Sequence, residues 1–152
     1  MNQPNGSPGA GDDRVVARIL VYSDDSGTRA QVLQALGAVP GERTAARLHP
    51  DLPDLECVEV ATAAVVLREF DTGTVDLAIL DGEAAPVGGM GLAKQIRDEY
   101  EPCPPLLVLI ARSADRWLAD WSRADASAPL PVDPLGLPRE VTALLRRRAR
   151  RQ

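Results

Sequence analysis

Apolar residues along this chain form short runs, some broken by one acidic residue, that alternate with stretches in which they recur every third or fourth position. The runs at residues 19–22, 58–60, 75–80 and 106–110 are typical of buried strands. Helical spacing follows each run, as marked by Leu33, Leu67, Leu92, Trp117 and Leu144. With residues 126–130 as a short fifth strand, the pattern predicts five strands that alternate with five helices.

Strands that alternate with helices predict a parallel sheet, because right-handed crossovers place each helix over a face of the sheet. We therefore expect an α/β, flavodoxin-like fold, with a five-stranded parallel sheet of order 2-1-3-4-5 and helices on both faces. Ser26 precedes the first helix and Gly37 ends it, while Pro138 can open the last helix at its first turn.

The domain organisation follows from length and from the positions of proline and glycine. At 152 residues the chain is of a length for one domain. Residues 1–14 are rich in Gly, Pro, Asn and Asp and are expected to form a flexible leader to a domain at residues 15–150. Residues 38–55 are expected to be an extended loop. No output domain is expected.

Charge and hydropathy narrow the classes of partner. The net charge is −5, yet five of the last seven residues are arginines, so the rest of the chain is more acidic than the total indicates. Such a body would repel a phosphate backbone, and we expect no direct binding of nucleic acid. We interpret the arginines as a solvated last helical turn that complements the helix dipole. Without a membrane span or signal peptide in the sequence, we expect a cytoplasmic protein that does not bind membranes.

The candidate chemistry lies where the third strand ends in Asp81. Open α/β folds place their functional groups at the carboxyl edge of the sheet, and the predicted order brings the loop Ser23-Asp24-Asp25 beside Asp81. Carboxylates about 4 Å apart repel by roughly 4 kcal/mol per pair at an effective dielectric of 20, so the cluster should bind a cation or raise a pKa. As alternatives, Asp81 caps the following loop or helix, and Asp24 and Asp25 complement the first helix.

These segments resemble the CheY-like receiver domain of response regulators, which accepts a phosphoryl group from a histidine kinase onto an aspartate. The resemblance covers about residues 17–149, and its carriers are residues 19–25 with Arg29, 76–81, 106–111 and 124–131. It implies that Asp81 is the phosphoryl acceptor, that Asp24 binds Mg²⁺ directly, and that Glu83 lies where a backbone carbonyl completes the metal site. Mg²⁺ suits such oxygen ligands and would shield an incoming phosphate.

Several positions depart from the family pattern. Ser23 stands where the family usually has another acid, and Ile110 corresponds to the switch hydroxyl. Leu130 replaces the lysine before a proline, and Ser127 replaces the aromatic residue that swings inward on activation. Lys94, the only lysine of the chain, falls in the third helix and cannot substitute. The resemblance therefore implies an atypical receiver, in which phosphorylation and switching are separate questions.

Two further features leave alternatives open. Trp117 and Trp121 lie four residues apart and are most simply core packing, although the resemblance places their helix on the partner-binding face, where tryptophan is enriched at contact hot spots. Arg112 is expected to face solvent, with a cationic role near Asp81 as the alternative. Cys57 and Cys103 form no metal or redox spacing and are expected to have no functional role.

The expected function is that of a stand-alone, atypical response regulator in two-component signalling. It would dock a protein partner, either a histidine kinase or a regulated target or both, with phosphorylation of Asp81 and homodimer formation left open. The alternative is an ordinary Mg²⁺-dependent phosphoprotein in a phosphorelay, with Asp81 as covalent nucleophile. An enzyme is not expected, because a metal-assisted phosphohydrolase built on Asp24 and Asp81 would have no lysine near its site.

Overall fold

A computed structural model describes residues 16–39, 45–46, 48–111 and 116–151. The leader predicted at residues 1–14 and Arg112 lie outside these described residues. The strands are β1 (Val16–Tyr22), β2 (Ala45–Ala46), β3 (Asp54–Val60), β4 (Leu77–Asp81), β5 (Leu106–Ile110) and β6 (Ala126–Pro129). The helices are α1 (Ser26–Ala35), α2 (Ala63–Asp71), α3 (Gly89–Glu99), α4 (Arg116–Trp121) and α5 (Gly136–Arg151).

The described strands form one sheet of order β2-β3-β1-β4-β5-β6. Strand β2 pairs antiparallel with β3, and the other neighbours pair in parallel. The five parallel strands confirm the predicted order 2-1-3-4-5. Because adjacent parallel strands end at the same edge of the sheet, the carboxyl ends of β1 and β4 meet there, as the sequence predicted.

The edge of the sheet beyond β1 differs from the expectation. Strand β2 and the beginning of β3 both lie within residues 38–55, which were expected to be a loop. Strand β3 begins at Asp54 because Leu55 and Cys57 are buried against one face of the sheet, although charged residues interrupt the apolar run. Arg18 lies opposite Glu56 in the parallel register, and their side chains form an ion pair at 3.3 Å. Because this cross-strand ion pair compensates the charge of Glu56, an acidic residue can lie within the strand.

Apolar side chains cover both faces of the sheet. Along β1, Ile19 and Val21 belong to the core beneath α1 and α5, while Leu20 and Tyr22 belong to the core beneath α2 and α3. Every residue of β4 and of β5 is buried, which explains why both strands are continuous apolar runs rather than alternating ones. The expectation of helices on both faces is confirmed.

Short-range hydrogen bonds place the beginning of the first helix next to the acidic loop. The side chain of Asp25 is the N-cap of α1 and accepts the Gly27 amide at 2.9 Å. Ser26 is therefore the first residue of the helix, and Asp25 caps it. Pro138 lies in the first turn of α5, as predicted.

The arginines at the end of α5 are not all solvated, contrary to the expectation. Arg146 forms an ion pair with Asp51 at 3.3 Å, and Arg148 forms one with Asp76 at 2.6 Å. These contacts hold the helix to a loop before β3 and to the segment before β4. In the part of the chain that the structure describes, no helix has the length and apolar character needed to cross a membrane.

Candidate functional site

Asp81 is the last residue of β4, and its side chain is buried with 3% of its surface exposed. Its Oδ2 accepts a hydrogen bond from the Ser23 hydroxyl at 2.7 Å, and its Oδ1 accepts one from the Glu83 amide at 2.8 Å. The carboxylate is thus held by one side-chain donor across the sheet edge and one backbone donor of its own loop.

Ser23 is fixed by contacts to three neighbouring segments, and it is 1% exposed. Its amide donates to the Val60 carbonyl at 3.1 Å, at the end of β3. Its hydroxyl oxygen accepts the Asp25 amide at 3.0 Å, and its carbonyl accepts Arg29 Nη1 at 2.6 Å. Since these bonds hold both its backbone and its hydroxyl, Ser23 is a rigid hydrogen-bond donor to Asp81.

The other two predicted metal ligands lie at the surface of the same edge. Asp24 is exposed, and its Oδ1 accepts the Ala85 amide at 3.2 Å, which ties the loop after β1 to the loop after β4. The Glu83 side chain is also exposed. Among the described residues, no group of three or more His, Cys, Asp or Glu side chains is arranged to hold a metal ion. Mg²⁺ at Asp24, Asp81 and Glu83 therefore stays a prediction.

Tyr22 is a site residue that the sequence analysis treated only as part of a buried strand. Its ring is 1% exposed, and its hydroxyl donates to the Val87 carbonyl at 2.6 Å. Burial, and then the negative charges of Asp24 and Asp81, raise the pKa of the Tyr22 hydroxyl. Tyr22 thus stays neutral and anchors the far end of the loop after Asp81. The sequence signal that could have identified Tyr22 as a site residue is its position directly before the Ser23-Asp24-Asp25 loop.

Ile110, Ser127 and Leu130, where the resemblance implies departures from the receiver pattern, carry no ionised group. Ile110 ends β5 and is buried in the core that contains Val108 and Ala119. Leu130 packs against the opposite core, and its amide donates to the Ile110 carbonyl at 2.8 Å. Ser127 is half-buried in β6 beside Val108 of the neighbouring strand. The side chains at Ile110 and Leu130 supply neither a hydroxyl nor an ammonium group.

Trp117 and Trp121 do not pack in the core, so that interpretation was wrong. They are 66% and 52% exposed, whereas Ala119 is the buried residue of α4. The spacing of four residues places both rings on one face of the helix. Ala119 lies between them in sequence, on the opposite face, and packs against the core, so the tryptophan face is turned to solvent. Lys94 on α3 lies 5.7 Å from the ring centroid of Trp121 and forms an ion pair with Asp98 at 3.0 Å.

Comparison with known proteins shows close relatives. No protein-family model matches the chain. A response regulatory protein of Mycobacterium tuberculosis strain H37Rv is 58% identical over 135 residues, which are 89% of this chain and 96% of the relative. A protein of the same description from M. tuberculosis strain CDC 1551 matches equally.

Solved structures of receivers share the fold. A CheY-like receiver domain protein from Methanospirillum hungatei JF-1 has a TM-score of 0.70 at 20% identity, covering 91% of this chain and 100% of that one. The response regulator TrrA of Thermotoga maritima, in complex with Mg²⁺-BeF, has a TM-score of 0.63 at 26% identity, covering 85% and 99%. The identity to the mycobacterial relatives, joined to this fold and to Asp81 at the end of β4, shows that the chain belongs to the response regulators of two-component signalling, as a receiver domain.

Proposed function

We propose that this receiver acts by docking a protein partner on the exposed tryptophan pair of α4, and that docking does not require phosphorylation of Asp81. The observation that carries the proposal is the exposure of Trp117 and Trp121, at 66% and 52%, on one helix face. Large aromatic side chains supply much of the binding energy at protein contacts, and tryptophan is enriched among hot spots. A histidine kinase or a regulated target protein is the expected class of partner.

The environment of Asp81 supports a weak coupling between this carboxylate and α4. In the receiver pattern a hydroxyl and a lysine would bond to a phosphorylated acceptor, and here Ile110 and Leu130 occupy those positions. A charge-assisted hydrogen bond contributes about 1.5–3 kcal/mol and a neutral one about 1 kcal/mol. The combined loss of these two hydrogen bonds is as large as the coupling free energy between two allosteric sites, which is typically 1–3 kcal/mol. A phosphoryl group on Asp81 would therefore lack the contacts that transmit its presence.

The residues available for Mg²⁺ are Asp81, Asp24 and the backbone carbonyl of Glu83. The two carboxylates supply the oxygen ligands that Mg²⁺ prefers, and the cation would neutralise charge on an incoming phosphate. Ser23 supplies a hydroxyl where the family usually has an acid, and it already bonds to Asp81 at 2.7 Å. Since fewer negative ligands bind a divalent cation less tightly, we infer a weaker magnesium site than in an ordinary receiver.

Treatment with acetyl phosphate and Mg²⁺ is expected to leave tryptophan emission unchanged. The chain has two tryptophans, both on α4, so their fluorescence reports that helix alone. Intact mass measured on the same sample reports phosphorylation, with Asp81→Asn as the control that removes the acceptor. Added mass accompanied by an emission change in the wild type but not in the control would contradict the proposal, and would favour the ordinary phosphorelay receiver.

Replacement of both tryptophans by alanine is expected to abolish partner capture while the protein stays folded. Because both side chains are largely exposed, their removal should alter the free energy of unfolding by less than about 1 kcal/mol. Capture of a binding protein by the Asp81→Asn variant should equal that by the wild type. Val39→Ala, at another exposed apolar residue, is the control that should leave capture intact. A partner that binds the double tryptophan variant as well as the wild type would disprove docking at α4.

A further inference from the structure

A cavity of about 550 Å³ lies at the edge of the sheet opposite Asp81. Val75, Pro105 and Asp125 line it, and they precede β4, β5 and β6, which places the cavity at the amino ends of these strands. Its other walls come from the end of α3 at Tyr100 and from the last turns of α5. Cavities of this size accommodate small molecules and typically combine apolar walls with a few polar groups.

Three arginines line the cavity, and two of them are held in place by carboxylates. Arg97 Nη2 donates to Asp125 Oδ2 at 2.5 Å, while its Nη1 has no hydrogen-bond partner among the described residues. Arg148 Nη1 donates to Asp76 Oδ1 at 2.6 Å. Arg147 is exposed and has no ion pair with any residue that the structure describes. The wall thus offers guanidinium N–H donors that have no partner among the residues that the structure describes.

The rest of the lining is largely apolar. Phe70, Val75 and Leu144 contribute side chains that are otherwise buried, at 5%, 6% and 2% exposure. Cys103 is half-buried beside them. The acidic lining residues are Asp125, which is paired with Arg97, and Glu101, which is exposed. Arg97 and Arg148 are each paired with a carboxylate, of Asp125 and Asp76, so Arg147 is the arginine of the wall without an ion pair among the described residues, and an anion would be attracted to it.

We propose that this cavity binds a small molecule that carries one anionic group, a carboxylate, sulfonate or phosphate, on an apolar body. The anionic group would bind Arg147 and the Nη1 of Arg97, because two oxygens of one oxyanion can accept the paired N–H groups of a guanidinium. The apolar body would contact the partly exposed side chains of Cys103, Pro104 and Pro105. The site lies at the opposite edge from Asp81, and it does not depend on phosphorylation or on docking at α4.

Anilinonaphthalene sulfonate has the required chemistry and becomes fluorescent on binding. Titration of the full chain is expected to show saturable binding with one probe per protein, weakened by added salt. Arg147→Glu should weaken binding about tenfold, since it replaces a charge-assisted contact by a repulsive one. Arg150→Glu makes the same change of charge on the same helix at a residue outside the cavity lining, and should leave affinity unchanged. Equal affinity of the two variants would overturn the proposal.

Cys103 provides a second measurement, since it lines the cavity. Alkylation with iodoacetamide, followed by peptide mass analysis, should be slowed at Cys103 by saturating probe. Cys57 is 7% exposed and does not line the cavity, and burial raises the pKa of its thiol to about 11, so it should react little in either condition. Circular dichroism of both arginine variants is the check that they are folded. Probe binding without protection of Cys103 would place the probe elsewhere and would also overturn the proposal.

Discussion

Ser23→Asp is expected to make the stability of this protein depend on Mg²⁺. Ser23 is 1% exposed, and its hydroxyl lies 2.7 Å from Asp81 Oδ2, so a carboxylate at this position would face Asp81 directly. Two carboxylates about 4 Å apart repel by roughly 4 kcal/mol at an effective dielectric of 20. We expect the melting temperature in EDTA at neutral pH to fall by roughly 10 °C, given about 2–4 °C per kcal/mol for a chain of this size.

The sign of the pH dependence follows from the repulsion. Like charges raise the pKa of one carboxyl in the folded variant above the unfolded value of about 3.9. A group whose folded pKa is raised contributes stability below its unfolded pKa, and this contribution is lost as the pH rises through the folded pKa. The variant should therefore be least stable at neutral pH without metal, and it should regain stability on acidification.

Bound Mg²⁺ would offset the same repulsion. A cation that binds the folded state alone adds about 2.7 kcal/mol of stability at one hundred times its dissociation constant. Thermal melts with EDTA or MgCl₂, at acidic and neutral pH, measure both effects. Ser23→Asn is the matched control, since asparagine has the size of aspartate without its charge, and its melting temperature should respond weakly to Mg²⁺. If the two variants respond equally to Mg²⁺, Ser23 is not the residue that weakens the metal site.

Gly89→Ala is expected to destabilise the protein by about 3 kcal/mol, at the upper end of the cost of overpacking. A Cβ at Gly89 would lie 2.7 Å from the Asp81 carbonyl oxygen and 2.8 Å from the carbonyl carbons of Asp81 and Leu80. These are backbone atoms of a fully buried strand, so they cannot rotate away as a side chain would. The first turn of α3 would have to move away from the end of β4, where Asp81 lies.

Gly91→Ala is the matched control, because it makes the same substitution two residues along the same helix. No atom lies within 4 Å of a Cβ built at Gly91. Alanine is favoured over glycine inside a helix by about 0.5–1 kcal/mol, so this variant should be more stable than the wild type. Urea denaturation of both variants measures the difference, which we expect to be about 4 kcal/mol. Equal stabilities would show that α3 does not depend on close contact with β4.

The sequence alone was enough to predict the architecture and the place of the candidate site. Buried parallel strands are continuous apolar runs, and the runs ending near Tyr22, Asp81 and Ile110 were recognised from neighbouring residues only. The handedness of the crossovers then restricts the order of the strands. Asp81 was identified because a carboxylate directly after such a run must lie at the carboxyl edge of the sheet. Each of these inferences uses local patterns and general rules of chain geometry.

The tertiary structure decided what depends on residues far apart in the chain. The hydrogen bond between Ser23 and Asp81 joins positions separated by 58 residues, and the one between Tyr22 and Val87 joins positions separated by 65. A spacing of four residues shows that Trp117 and Trp121 share a helix face, but only the packing of Ala119 determines that this face is exposed. Local sequence encodes periodicity and propensity, whereas burial and contact distance are properties of the assembled sheet and helices.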